Sequence, residues 1–300
     1  MAMKPRERID YSAMVDREPL ALPDGKRVAV WVIVNIENWD IEKPMPRTVL
    51  PPPGHQVHIP DIPNWSWQEY GMRVGFWRFH EALVSRGIPV TMSVNGSVCV
   101  QYPRIAGAAR DAGWEFLGHA YRQRPTHLIE DQREDIRQTI ETIREFTGRP
   151  PRGWMGPGLT ETFETPDYLA EAGIEYVADF PMDDQPFDIR TKHGNLTSIP
   201  YTVELNDIPM MLVQHHKAAE FYDRCMDAFE RLDREGERNA RVMAIAVHPY
   251  ISGTPFRIKY FEKVLDAVSG AGSAVLWTGS DILDWYRAAA GRIPAAAADD

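Results

Sequence analysis

The longest uninterrupted apolar run in the chain is Val28-Ala29-Val30-Trp31-Val32-Ile33-Val34, inside residues 27–35. It has the length of a strand, is rich in β-branched residues and lacks the alternation of a strand with one wet face. It therefore predicts a strand buried on both sides, as in a parallel sheet. The run stops at Ile36-Glu37-Asn38-Trp39-Asp40, where polar groups appear together. From residue 71 the period changes repeatedly. Helical spacing predicts helices over 71–86, 102–112, 131–146, 165–172, 220–234, 257–267 and 280–289. Short apolar runs between them predict strands at 88–94, 114–117, 152–155, 175–178, 196–199, 210–214, 242–247 and 274–277. Strands alternating with helices imply an α/β domain on a parallel sheet, and about seven such units imply a distorted (β/α) barrel.

Punctuation along the chain sets the boundaries. Residues 1–26 read as an irregular N-terminal arm ending at Pro23-Asp24-Gly25, and 27–290 as the barrel. Residues 41–70 carry seven prolines, including Pro51-Pro52-Pro53, and close on Asn64-Trp65-Ser66-Trp67. So long a loop inside a compact domain is expected to be functional, as a lid or an oligomer contact. Residues 291–300 read as a frayed tail.

Composition narrows the function. With 300 residues, 44% hydrophobic and 25% charged, the chain fits a globular domain with a large core. A net charge of −10 argues against nucleic acid and anionic membranes as partners, and the expected partner is a small-molecule substrate. Cys99 and Cys225 belong to no CxxC pair and read as buried thiols. No apolar run has the length of a signal peptide or a membrane span, so a cytoplasmic location is the default expectation.

In a parallel barrel the chemistry gathers at the C-terminal ends of the strands. Following each predicted strand in turn gives Glu37-Asn38, Asn95-Gly96, Gly118-His119, Met155-Gly156, Asp179 with Asp183-Asp184, His215-His216 and His248-Pro249. A carboxylate, several imidazoles and a diacid at successive ends suit proton transfer and stabilisation of an oxyanion. Glu37 is the candidate base, and a carboxylate at the end of so apolar a strand is expected to have a raised pKa. His248 is the candidate general acid, and His119 the candidate group positioning water or oxyanion. Asn95 is a candidate amide donor, Arg152 a clamp for a carbonyl, and Trp65, Trp67 and Trp154 an apolar wall. Ordinary roles compete with each: a turn at Asn95, an ion pair at Arg152, packing for the tryptophans, a helix cap at Asp183-Asp184.

The order of these pieces resembles the polysaccharide deacetylase family, over roughly residues 27–290. Asn35-Ile36-Glu37-Asn38 is similar to that family's first motif, normally Thr-Phe-Asp-Asp, and 118–123 to its second, normally His-x-x-x-His. Arg152-Gly153-Trp154-Met155 is similar to the arginine-led third motif, and Val247-His248-Pro249 to the last, whose histidine is a general acid. Asp183-Asp184-Gln185-Pro186 resembles an Asp-Asp-x-Pro element of a cytoplasmic branch. The resemblance implies catalytic Glu37, His119 and His248. It implies substrate contacts at Asn38, Asn95, Trp65, Trp67, Arg152, Trp154, Met155, Asp183 and Asp184, and a homo-oligomer.

The departures matter most. The family's divalent-metal ligands fall on Asn38, His119 and Gln123, and only the histidine is retained. A neutral amide is a poor ligand beside a carboxylate, so no cofactor is expected. The same loss marks the cofactor-independent allantoinase and cyclic imide hydrolase branch. The resemblance then implies a metal-independent hydrolase of non-peptide C–N amide bonds that opens a small cyclic amide, imide or ureide. One alternative is an amino-sugar N-deacetylase using one divalent metal such as zinc, held by Glu37, His119 and His127 or His248. Another is a non-catalytic binding protein on a deacetylase scaffold.

Overall fold

A computed structural model describes residues 2–52, 54 and 56–291. All but Gly291 of the expected tail lies outside the described residues. The sheet has nine strands: β1 (Val28–Ile36), β2 (Thr91–Val94), β3 (Glu115–Gly118), β4 (Gly153–Trp154), β5 (Tyr176–Val177), β6 (Phe187–Thr191), β7 (Gly194–Ser198), β8 (Arg241–Val247) and β9 (Ala274–Leu276). Their order is β6-β7-β5-β4-β3-β2-β1-β8, with β9 beside the first residues of β1. Every pairing is parallel except β6 with β7, a hairpin that residues 187–191 did not announce by composition.

The sheet curls into a half-barrel. Along the free edge of β8 irregular chain from before β6 and after β7 stands in for a ladder: Val242 N donates to Asp184 O at 2.9 Å and Ala246 N to Leu205 O at 3.0 Å. The apolar β1 run divides by parity, as a doubly covered strand must. Val28, Val30, Val32, Val34 and Ile36 face the outer helices with Phe76, Phe79 and Phe261. Ala29, Trp31 and Ile33 face the interior with Leu117, Tyr176, Ala244 and Ala246. In β8 the inward set is Val242, Ala244 and Ala246.

Two expected elements change. Residues 210–214 are helical, not a strand: a π-type turn spans Ile208–Val213. Its apolar run is too short for periodicity to distinguish helix from strand. Pro209 sits in the first turn, and Asn206 Oδ1 accepts from Ile208 N at 3.0 Å, which fixes a helical start. The Pro-rich insert also ends early. Asp61 caps a helix over Ile62–Tyr70 by accepting from Asn64 N at 3.2 Å, and the helix runs on through Gly71–Gly75 into Phe76–Val84.

This helix presses on the loop after β8. A side chain at Gly75 would meet the Pro249 carbonyl at 2.0 Å, and one at Gly71 the Tyr250 backbone N at 2.6 Å. Only glycine permits that approach, which seats the His248–Tyr250 loop over the barrel mouth. Among the described residues no helix is long and apolar enough to cross a membrane.

Candidate active site

Parity carries three side chains to one place. Glu37 continues the inward positions 29, 31, 33 and 35 of β1; His119 continues Leu117 of β3; His248 continues 242, 244 and 246 of β8. All three are buried. Glu37 Oε1 lies 3.6 Å from His248 Nε2. His248 Nδ1 is 2.7 Å from Asp207 Oδ1, its backbone N donates to Asp207 Oδ2 at 2.8 Å, and Ser252 Oγ donates to the same oxygen at 2.7 Å.

The electrostatics separate the two histidines. Burial disfavours a charge on His248, but Asp207 on one side and Glu37 on the other outweigh it and raise its pKa to about 9. His248 is therefore an imidazolium at neutral pH. Burial also lowers the pKa of His119, and the attraction of Glu37 does not restore it. His119 Nδ1 meets the Met155 carbonyl at 2.6 Å, and a carbonyl can only accept. The proton of the neutral ring thus sits on Nδ1, and Nε2 offers a lone pair. His119 can accept from water; it cannot donate to an oxyanion, which corrects one of its two expected roles. Ala120 follows it at φ 57, in the left-handed region, at a cost of roughly 1–2 kcal/mol for a residue with a Cβ.

Glu37 reverses the expected direction. Burial alone would raise its pKa, but His248, His119 and the Trp39 indole favour the charged form and hold it at about 2. Trp39 Nε1 donates to Oε2 at 2.7 Å, Tyr250 Oη to Oε2 at 3.1 Å and Gln123 Nε2 to Oε1 at 3.0 Å. Gln68 Nε2 holds the Glu37 backbone carbonyl at 2.6 Å. A cavity of about 90 Å³ opens on this carboxylate, lined also by Trp39, Arg47, Gln123, Arg124 and Gly158.

Several expected contacts lie elsewhere. Asn95 is spent within the fold: its Nδ2 donates to the His119 carbonyl and to Gln123 Oε1 at 3.3 Å, and its Oδ1 accepts from Asn38 N at 2.8 Å. Asn38 Nδ2 turns inward to Ser97 Oγ at 2.7 Å and Gln101 Oε1 at 2.8 Å. Arg152 pairs with Glu175 at 2.6 Å and Asp284 at 2.7 Å; it precedes β4 and so lies at the opposite end of the sheet. Asp183 is gripped by Arg17 at 2.6 Å, and Asp184 binds the first part of β8 through its carbonyl, because this segment runs along the lower barrel. Trp154 has the outward parity of β4 and packs with Ile136 and Leu169. Trp65 packs on the outer core, and Trp67 meets Tyr250 edge-on at 4.7 Å between ring centres. Met155 contributes its carbonyl rather than its side chain. His127 is exposed, and His216 pairs with Glu220 on the surface.

The residues sequence reasoning missed are Asp207, Tyr250, Trp39 and Ser252. Trp39 and Tyr250 stand two residues beyond Glu37 and His248, past the ends of β1 and β8, where strand parity no longer assigns a face. Asp207 gave no signal because the segment after it read as a strand.

The divalent ion implied by the family resemblance does not fit these residues. Asn38 and Gln123 point amide N–H groups at Ser97, Gln101 and Glu37. Of the three ligand positions, only His119 offers an imidazole; the other two offer no more than neutral amide oxygens. Among the described residues no three His, Cys, Asp or Glu side chains converge as a metal set would require.

Comparison with known proteins agrees with this architecture. The polysaccharide deacetylase family model matches residues 69–177. A Schizosaccharomyces pombe protein named "Putative polysaccharide deacetylase" is 25% identical over 289 residues, covering 85% of this chain and 88% of its own. The crystal structure of Puue allantoinase superposes with a TM-score of 0.81 at 24% identity, covering 95% of this chain and 98% of that one. A "probable Polysaccharide deacetylase" from Pseudomonas aeruginosa PAO1 superposes with a TM-score of 0.78 at 24% identity, covering 91% and 95%.

Proposed function

We propose, from the premise that this chain carries the polysaccharide deacetylase half-barrel with its family match over residues 69–177, that it is a hydrolase of non-peptide C–N amide bonds. The bond belongs to a small cyclic amide, imide or ureide, and side chains alone activate the water. The observation that carries this reading is the Gln123 amide donating to Glu37 Oε1 at 3.0 Å, where a metal-binding relative would need an imidazole.

The ionised Glu37 accepts one proton of the attacking water, and His119 Nε2 accepts a hydrogen bond from the other. The water oxygen bonds to the carbonyl carbon. As Glu37 gains its proton, Tyr250 Oη is released from Glu37 toward the oxyanion. His248 Nε2 gives its proton to the leaving nitrogen as the C–N bond breaks, and Asp207 holds the imidazole through Nδ1. Glu37 then passes its proton to His248 Nε2, 3.6 Å away, which restores carboxylate and imidazolium and leaves a carboxylic acid and a free N–H. Charge is placed before the reaction begins, so little reorganisation is needed at the barrier.

The S. pombe relative's name favours a second reading, an amino-sugar N-deacetylase. Chelator-treated protein should be assayed on succinimide, hydantoin, allantoin and an N-acetylated amino sugar, with ring opening followed by ultraviolet absorbance. Chelator-resistant opening of at least one ring is expected. Activity confined to the sugar and returning only with zinc would overturn the reading, and no turnover of any compound would point to the non-catalytic binding protein.

A further inference from the structure

The insert after β1 lays Pro46 and Arg47 across the cavity at Glu37, opposite Arg124 and Pro125. Arg47 is half-buried and Arg124 exposed. Among the described residues neither makes an ion pair or a side-chain hydrogen bond. Arg122 beside them instead pairs with Asp40 at 3.0 Å, as most described guanidinium groups pair with a carboxylate. In a chain of net charge −10, carboxylates to neutralise two arginines are plentiful. The buried centre beneath carries Glu37, Asp207 and the imidazolium of His248, so it is net negative and by itself repels an anion. Arg47 and Arg124, the second also drawn toward Asp135, bring positive charge to its mouth, and the fork of a guanidinium matches a carboxylate.

We propose that Arg47 and Arg124 form an anion subsite, and that the compound this site binds carries a carboxylate or similar anionic substituent beside the amide. This rests on the proposed hydrolysis for its biological sense but not for its measurement. Succinate and succinamide have the same skeleton and differ in charge, so they serve as probes. Binding is read by calorimetry and by tryptophan fluorescence, Trp39 lining the same cavity. Succinate should bind the intact protein at least tenfold more tightly than succinamide, as expected for a charge-assisted hydrogen bond at a partly buried site. Arg47→Gln should bring the two within about threefold, with succinamide affinity unchanged. Equal binding, no measurable binding of either, or a preference surviving in the Arg47→Gln/Arg124→Gln variant would overturn the subsite. So would loss of both ligands together in a variant whose circular dichroism is native. If no ring is hydrolysed but succinate is still preferred, the hydrolase reading fails and the subsite stands.

Discussion

Asp207 meets His248 twice, accepting from Nδ1 at 2.7 Å and from the backbone N at 2.8 Å. The first contact keeps the imidazole charged; the second fixes the loop that carries it. Asp207→Asn retains much of the shape and removes the charge. His248 should then lose part of its elevation above the ordinary imidazole value, because Asp207 is the largest of the influences raising it. In the parent protein the acid form is present below about pH 9, so the kcat/KM of the proposed hydrolysis should fall as pH rises through that value. At the acid end, activity should fall once His119 protonates, below the usual imidazole range because its pKa is lowered. In Asp207→Asn the alkaline limb should move at least one unit down and kcat at pH 8 should fall by about two orders of magnitude. A pH–rate profile reads both; an unmoved alkaline limb would remove His248 as the acid.

Glu37→Gln should lower kcat by about two orders of magnitude or more. The substituted amide fills the same volume, so the indole of Trp39 and the hydroxyl of Tyr250 keep a neighbour, and thermal stability should change little by comparison. It also removes one of the groups that raise His248, so residual activity should lose its alkaline limb at lower pH. A kcat within about fivefold of the parent would assign the base elsewhere, with His119 Nε2 the first candidate.

These two variants also show how far the sequence alone could reach. Glu37, His119 and His248 were readable because each comes just after an apolar run that reads as a buried strand, and strand ends are where a parallel barrel gathers its chemistry. Asp207 was not, because the six residues that follow it, Ile208–Val213, are apolar with a proline second and fit a strand and a helix equally. Arg152 and Asp183 misled for a related reason. Motif order places residues along the chain, whereas the ends of a barrel differ by which side of the strand a residue stands on. Arg152 precedes β4 and Met155 follows it, three positions apart in sequence and at opposite ends of the strand. The direction of the Glu37 pKa needed its partners, since burial and hydrogen bonding act oppositely and only coordinates say which is larger.

The N-terminal arm is attached by a buried pair. Arg8 meets Asp167 at 2.8 Å with both side chains under 5% exposed, at 2% and 4%. The Arg8 hydrogen bond lowers the Asp167 pKa to about 2. A lowered carboxylate pKa contributes stability that is present above the unfolded value of about 3.8 and lost as pH falls toward about 2. Arg8→Met leaves the buried carboxylate with Lys192 alone, its ammonium at 3.5 Å and its backbone N at 2.9 Å, and should cost about 2–3 kcal/mol in urea unfolding at pH 7. Arg8→Met/Asp167→Leu should recover most of that loss. A single variant within about 1 kcal/mol of the parent would show that the arm does not contribute to the cooperative unit.

The amide pair at Asn38 and Gln123 makes the sharpest prediction, because it can be reversed. With His119 Nε2 already free, Asn38→Asp and Gln123→His together would complete one carboxylate and two imidazoles, three ligands of a tetrahedral zinc site open to water. The surroundings can adjust: the Ser97 hydroxyl can turn to donate to the new carboxylate, and the Gln101 amide can rotate to present its N–H. Losing the Gln123 bond to Glu37 removes one of three neutral donors and leaves Trp39 and Tyr250 in place. Zinc titrated by calorimetry into chelator-treated protein should bind the double variant at least a hundredfold more tightly than the parent, with either single variant intermediate. Submicromolar zinc binding by the parent, or no gain in the double variant, would mean that these two amides are not what keeps the ion out, and the side-chain-only activation of water would lose its support.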